Sequence, residues 1–191
     1  WDAANGINAG ATVYYTEFED QIGRKVICDT RDGSDPICEV NGVTREYINQ
    51  YTNHDSAELR GVELFFNVPL GPVDLKTNYT YSDSEITESK DSPESVGQPF
   101  NNLPKHMVNV GVDWAATEAL GVWAKARYKS STVEDSTSQR PSYTLVDVGA
   151  LYRVSDNFDV YGGLYNLFDK QVTAEDYGKT LDGRRLNLGV A

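Results

Sequence analysis

The sequence predicts an all-β fold, an antiparallel sheet of about nine strands, and three observations carry that prediction. Alternation of apolar and polar residues with period 2 pervades the chain, whereas the 3.6-residue periodicity of helices is almost absent. The composition is β-rich, with 12 Tyr, 3 Trp and 16 Gly against a single Met. The connections alternate between tight turns and long polar stretches, the layout of a meander with one trimmed end and one elaborated end.

Taken in chain order, Trp1 to Ala4 reads as a strand stub closed by a turn at Asn5-Gly6, and residues 19–45 read as a long polar loop. From Glu46 to Leu70 no convincing turn interrupts the chain, so one long strand is expected, with room for a bulge near Asn53 to Ser56. Its end places Val62, Leu64, Phe66, Val68 and Leu70 on one face and Glu63, Phe65 and Asn67 on the other. After the turn Leu70-Gly71-Pro72, the residues Val73, Leu75, Thr77, Tyr79 and Tyr81 oppose Asp74, Lys76, Asn78 and Thr80. A polar stretch over 83–104 follows. His106, Val108, Val110, Val112 and Trp114 then oppose Met107, Asn109, Gly111 and Asp113. A short turn from Ala116 to Leu120 leads to Val122, Ala124, Ala126 and Tyr128 against Lys125, Arg127 and Lys129. The loop 131–142 precedes Val146, Val148, Ala150, Tyr152 and Val154, which oppose Asp147, Gly149 and Arg153. A turn at Ser155-Asp156-Asn157 and a loop over 169–183 bring the chain to Leu186, Leu188 and Val190.

Two architectures share this alternation. In a soluble sandwich the apolar face fills a core and the loops at both ends are similar in length. In a transmembrane β-barrel the apolar face meets lipid, and one set of turns is short while the other is long. Loop asymmetry favours the barrel, and so do the aromatics: Trp114, Tyr152 and Phe158 lie beside the short turns, Tyr79, Tyr81 and Tyr128 near the long loops. A strand as long as 46–70 exceeds the roughly 9–11 residues that cross a bilayer, so it is expected to project beyond the membrane. With 29 acidic and 17 basic side chains the net charge is −12, a poor match for nucleic acid. A chain with 39% hydrophobic residues is too apolar to be disordered.

Several stretches resemble TonB-dependent outer-membrane receptors of the ferric siderophore type. Asn166-Leu167-Phe168-Asp169-Lys170, followed by Tyr177 and Gly183-Arg184, is similar to that family's carboxy-terminal signature. Ala57-Glu58-Leu59-Arg60-Gly61-Val62-Glu63-Leu64 resembles its long descending strand, and Asn78-Tyr79-Thr80-Tyr81 the ascending strand after it. Asn102-Leu103-Pro104-Lys105-His106 and the run from Pro141 to Asp147 resemble recurrent strand starts. The resemblance implies a 22-stranded barrel around an amino-terminal plug, with residues 1–191 as the carboxy-terminal part of the barrel and the plug absent from this chain. It further implies a bacterial outer-membrane location and TonB-dependent uptake of a ferric siderophore, a catecholate being the first expectation. Haem or cobalamin is the alternative cargo. A complete small barrel acting as an adhesin or anchor is the alternative of another class.

Within that frame Cys28 and Cys38 lie in a predicted external loop, where an oxidising environment lets them pair as a disulfide. Anionic ferric siderophores call for cations and aromatics near the outer mouth, which selects Arg24, Lys25, Arg31, Arg45, Tyr47, Arg140 and Tyr143 as ligand-binding candidates. The acidic loops hold Asp29, Asp32, Asp35 and Glu39, and Asp83, Glu85, Glu88, Asp91 and Glu94, which read first as a solvated surface, with divalent-cation bridging to lipopolysaccharide phosphates as the sharper alternative. The expected partners are the siderophore as transported ligand, TonB through the amino-terminal part, lipopolysaccharide and outer-membrane lipid. A monomer without cofactor, metal or catalytic residue is expected. His54 and His106 fall in different strands, and Gly-x-Ser-x-Gly, His-Glu-x-x-His and P-loop motifs are absent from the sequence.

Overall fold

The computed structural model describes every residue except 4, 5, 32, 34–36, 91, 92 and 135–137; the side chains of 21–26 and 52–55 also lie outside the description. The strands, in order, are β1 (Asn8–Asp29), β2 (Cys38–Val40), β3 (Val43–Arg45), β4 (Tyr47–Leu70), β5 (Val73–Ser89), β6 (His106–Ala115), β7 (Leu120–Lys129), β8 (Thr132–Val133), β9 (Gln139–Arg140), β10 (Tyr143–Ser155), β11 (Phe158–Tyr165) and β12 (Arg185–Val190). One short helix, α1 (Ala174–Tyr177), interrupts the last loop. Eight strands form one sheet in the order β1-β4-β5-β6-β7-β10-β11-β12, while β2-β3 and β8-β9 are separate two-stranded ribbons. Once the ribbons are set aside, every strand pairs with its neighbours in sequence, which is the expected meander.

The register confirms the two faces read from the alternation. Tyr79 faces Val108 and Tyr81 faces His106 across β5 and β6. Val110 faces Ala126 across β6 and β7, and Val146 faces Ala126 across β7 and β10. Asp147 faces Lys125 on the opposite side of the sheet. Among the described residues the buried hydrophobic side chains are only Cys38, Ala57, Leu145, Val172 and Tyr177. Phe66, Trp114, Tyr152, Leu186 and Leu188, all on the apolar face, are 47–73% exposed. A sandwich would bury this face in a second layer. Here it is turned outward and continuous, which is the arrangement of a wall that meets lipid.

The chain divides into two compact units. The larger comprises Trp1–Tyr14, Arg60–Asp83 and Asn101–Ala191; the smaller comprises Tyr15–Leu59 and Ser84–Phe100. In the larger unit, aromatic rings on the polar face lie over glycines. Trp123 lies over Gly149, where an added Cβ would approach its ring to 2.4 Å, and Tyr161 lies over Gly189 in the same manner. Tyr14 crosses Gly61, and its hydroxyl reaches Ser82 Oγ at 2.7 Å. In the smaller unit the Cys28–Cys38 disulfide, with Cα atoms 5.7 Å apart, joins the end of β1 to β2. Phe18 and Phe100 meet with ring centroids 6.0 Å apart.

Element boundaries differ from the sequence reading in three places. Of the expected stub, Ala4 lies outside the described residues; Asp2 makes only an isolated bridge to Asn8, and Gly6 stands at φ +83°. The stretch 19–45 is strand as far as Asp29 and then holds the β2-β3 ribbon. β5 likewise continues to Ser89, well into the expected loop 83–104. Alternation marks a strand only where one face is apolar. A strand wetted on both faces pairs through its backbone and leaves no such mark.

Candidate functional site

The candidate binding residues fall in two clusters, one in each unit. In the larger unit β7 ends at Lys129, directly across from Tyr143 at the start of β10. The β8-β9 ribbon pairs Thr132 with Arg140. The loop after β11 is held shut by its own side chains. Asn166, at φ +51°, donates from Nδ2 to the Lys170 carbonyl at 2.9 Å and accepts from Lys170 N–H through Oδ1 at 2.8 Å. Its backbone N–H donates to Oδ1 of the buried Asp147 at 2.8 Å, and Arg127 Nη2 donates to Oδ2 of the same carboxylate at 2.9 Å. Asp169 Oδ1 accepts from the Arg184 N–H at 2.8 Å. The Asn166–Lys170 run therefore organises the strand-to-loop transition. The Thr173 side chain caps α1, and Gly178 ends it in the left-handed region at φ +69°.

This loop brings Tyr177 edge-on to Tyr143, with centroids 5.4 Å apart and an interplanar angle of 85°. Lys179 Nζ stands 5.4 Å from the Tyr143 ring centroid, and Lys170 Nζ stands 5.4 Å from that of Tyr177. Arg140 is paired with Glu134 and lies against Gly178, where its guanidinium fills the space a side chain would need. Its Nε and Nη1, together with the Thr132 hydroxyl across the ribbon, are the buried side-chain polar atoms without a hydrogen-bond partner among the described residues. The arrangement gathers Lys129, Arg140, Lys170 and Lys179 around two tyrosine rings.

In the smaller unit Asp29 Oδ1 accepts from both the backbone N–H and Nε of Arg31 at 2.9 Å, and Oδ2 accepts from Nη2 at 2.6 Å. The Arg31 guanidinium holds the Asp29 carboxyl down to about 2. The same guanidinium lies 4.1 Å from the centroid of the Tyr47 ring. Thr30 donates from its backbone and from its hydroxyl to the Glu46 carbonyl, each at 3.0 Å. The Cys28–Cys38 bridge and the register of Cys38 with Arg45 tie the rest of the segment to this point.

Of the seven binding candidates, the structure thus joins Arg31 with Tyr47, sets Arg45 in the adjoining ribbon, and places Arg140 and Tyr143 in the other cluster. Arg24 and Lys25 fall on β1, but their side chains lie outside the described residues. The sequence reading missed Lys179, Tyr177 and Lys170. It also missed the β2-β3 hairpin, although Asn41-Gly42, at φ +50° and +75°, carries the signature of a two-residue hairpin turn.

An outward apolar face between two aromatic belts, a polar inner face and elaborated loops at one end define an outer-membrane β-barrel wall. The family model "TonB dependent receptor-like, beta-barrel" matches residues 1–167, and the chain belongs to that family. It is 32% identical, over its whole length, to the iron-regulated outer membrane virulence protein of Vibrio cholerae, of which it covers 29%. It is 26% identical over 88% of its length to the ferric enterobactin receptor of Pseudomonas aeruginosa, covering 23% of that protein. The siderophore receptor PiuA of Acinetobacter baumannii shares its fold, with a TM-score of 0.78 at 24% identity, over the whole chain and 26% of the receptor. The chain thus spans less than a third of the length of these relatives. The protein resides in the bacterial outer membrane, and the relatives named above are an outer-membrane virulence protein and two siderophore receptors.

Proposed function

We propose that residues 1–191 form the carboxy-terminal part of the barrel of a receptor that takes up a ferric siderophore of catecholate type, with energy relayed by TonB to a plug supplied by the rest of the protein. The observation that carries this reading is the cluster around Arg140. A ferric tris-catecholate is a compact polyanion with flat aromatic arms. Tyr143, backed edge-on by the buried Tyr177, supplies ring surface for such arms, while Lys179 and Arg140 answer their charge. The relatives named above include a ferric enterobactin receptor, which supports the cargo class.

The test is equilibrium binding by the purified full-length receptor, with ferric enterobactin compared against haem and cobalamin. Ferric enterobactin is expected to bind in preference, and Arg140→Gln is expected to weaken it at least tenfold while Arg140→Lys recovers only part of the loss. Binding of haem or cobalamin without ferric enterobactin would overturn the reading.

A further inference from the structure

Where the pairing of β10 with β11 ends, a side chain takes over from the backbone. The register of the two strands stops at Val148 and Leu164. Beyond that point Asp147, 5% exposed, accepts the Asn166 N–H with Oδ1 at 2.8 Å, and the Leu167 N–H donates to the Val146 carbonyl at 2.7 Å. Asn166 is itself buried and left-handed at φ +51°, a conformation that asparagine adopts more readily than most residues. The chain thus leaves the sheet at a residue whose N–H is held by a carboxylate and not by a strand. The other oxygen of Asp147, Oδ2, accepts from Arg127 Nη2 at 2.9 Å, and that arginine stands half-exposed on β7. One carboxylate therefore joins wall to loop, with a different oxygen for each.

Asn166 in turn clips both arms of the loop 166–184. Its Oδ1 accepts from the Lys170 N–H at 2.8 Å on the outgoing arm. Its Nδ2 donates to the Lys170 carbonyl at 2.9 Å and, on the returning arm, to the Asp182 carbonyl at 3.3 Å. Further out, the Leu181 N–H donates to the carbonyl of the buried Val172 at 2.9 Å. Beyond these ties the loop carries Tyr177 and Lys179 to the Tyr143 ring. Another ion pair on the polar face, Lys76 with Asp113 at 2.9 Å, makes a useful contrast: it joins β5 to β6 within the sheet, and both side chains are about half exposed.

We propose that Asp147 is a positioning residue for the cargo. By holding the Asn166 N–H it fixes the base of the loop 166–184 so that Tyr177 and Lys179 meet Tyr143, and Arg127 keeps the carboxylate at that task. The inference rests on the reading of the Tyr143 cluster as the cargo site. Asp147 acts through Asn166 and needs no contact with the cargo. Without the carboxylate the buried Asn166 N–H loses its acceptor. The loop relieves that loss by turning the N–H toward water, and the clip on both arms moves with it. Arg127, already half-exposed, is resolvated, so the barrel itself is expected to fold.

Amide hydrogen exchange of the cargo-free full-length receptor, combined with equilibrium binding of ferric enterobactin, tests this. Asp147→Ala is expected to speed exchange at Asn166, Lys170 and Leu181 by roughly tenfold or more and to weaken binding by a similar factor, with exchange in β6 and β7 unchanged. Asp147→Asn keeps an acceptor for the Asn166 N–H, so both quantities are expected to stay within roughly threefold of wild type. Asp113→Ala removes the other ion pair and is expected to leave both at the wild-type level. Unchanged exchange in Asp147→Ala, faster exchange with unchanged binding, acceleration spread equally over β6 and β7, a loss in Asp147→Asn as large as in Asp147→Ala, or an equal loss in Asp113→Ala would each overturn the inference. Failure of the cargo reading shows separately: if the wild type binds haem or cobalamin and not ferric enterobactin, the same variants are compared with the cargo that binds, and the exchange criterion is unaffected. Heat-modifiable electrophoretic migration identifies folded barrels; if Asp147→Ala lacks it, Asp147→Leu, which keeps the volume without an acceptor, takes its place.

Discussion

Asp29 shows how much a single contact accomplishes in the exposed segment of the smaller unit. Its carboxyl, held down to about 2 by Arg31, sits below the unfolded reference value of 3.8. A lowered value means the pair contributes above the unfolded value and is lost as pH falls through the folded one. The Arg31–Asp29 pair should therefore be constant from pH 5 to 8 and come apart only near pH 2, which a carboxyl-carbon NMR titration of Asp29 would reveal. Gly149 makes the complementary point about packing. A side chain there would meet Trp123 at 2.4 Å and the Gly162 carbonyl at 2.6 Å. Gly149→Val is expected to destabilise the barrel by about 1–3 kcal/mol, read as a lowered urea midpoint in lipid vesicles. Residues of this kind are hard to read in sequence. Arg31 and Tyr47 are candidates by type, but their union depends on a disulfide and a hairpin between them, and no local spacing encodes it. Arg140 and Tyr143 are legible as a cation and a ring near a loop, whereas Tyr177 and Lys179, which contact Tyr143, arrive from a loop that looks like solvent-exposed polar sequence.

At the scale of elements, legibility follows the membrane. β6, β7 and β10 are visible in outline because one face of each is apolar, and their register follows from that face. The outer parts of β1 and β5 are polar in sequence with no such stripe, so their composition resembles that of loops. The β2-β3 ribbon is anchored by the Cys28–Cys38 bridge. Closing a loop of about 11 residues contributes on the order of 3 kcal/mol by the chain-entropy model. Replacing both cysteines by serine should leave the barrel's heat-modifiability unchanged while exposing residues 28–46 to external protease on intact cells. Protection equal to wild type would show that the Thr30–Glu46 and Arg31–Tyr47 contacts suffice without the bridge.

For the molecule as a whole, the decisive property is that its apolar surface is outside. The two faces of β6 make this measurable. Val110, on the outward face and midway between the belts, and Asn109, on the inner face, are neighbours in sequence. Val110→Arg is expected to cost about 2–4 kcal/mol in a bilayer, and Asn109→Arg markedly less, in urea unfolding of the full-length barrel from vesicles. Equal costs would mean the two faces are wrongly assigned. The same inversion explains why the fold class was accessible from sequence while the cargo was not: lipid imposes a period on every strand, but a ligand imposes one only on a few loop residues.

The inward rings over glycines have a consequence for the wall itself. Trp123 and Tyr161 lean across onto Gly149 and Gly189, the residues directly opposite them on the neighbouring strands. Aromatic side chains laid down in this way panel the polar face with rigid, shallow surface. They brace the wall against shear between neighbouring strands while standing off it very little.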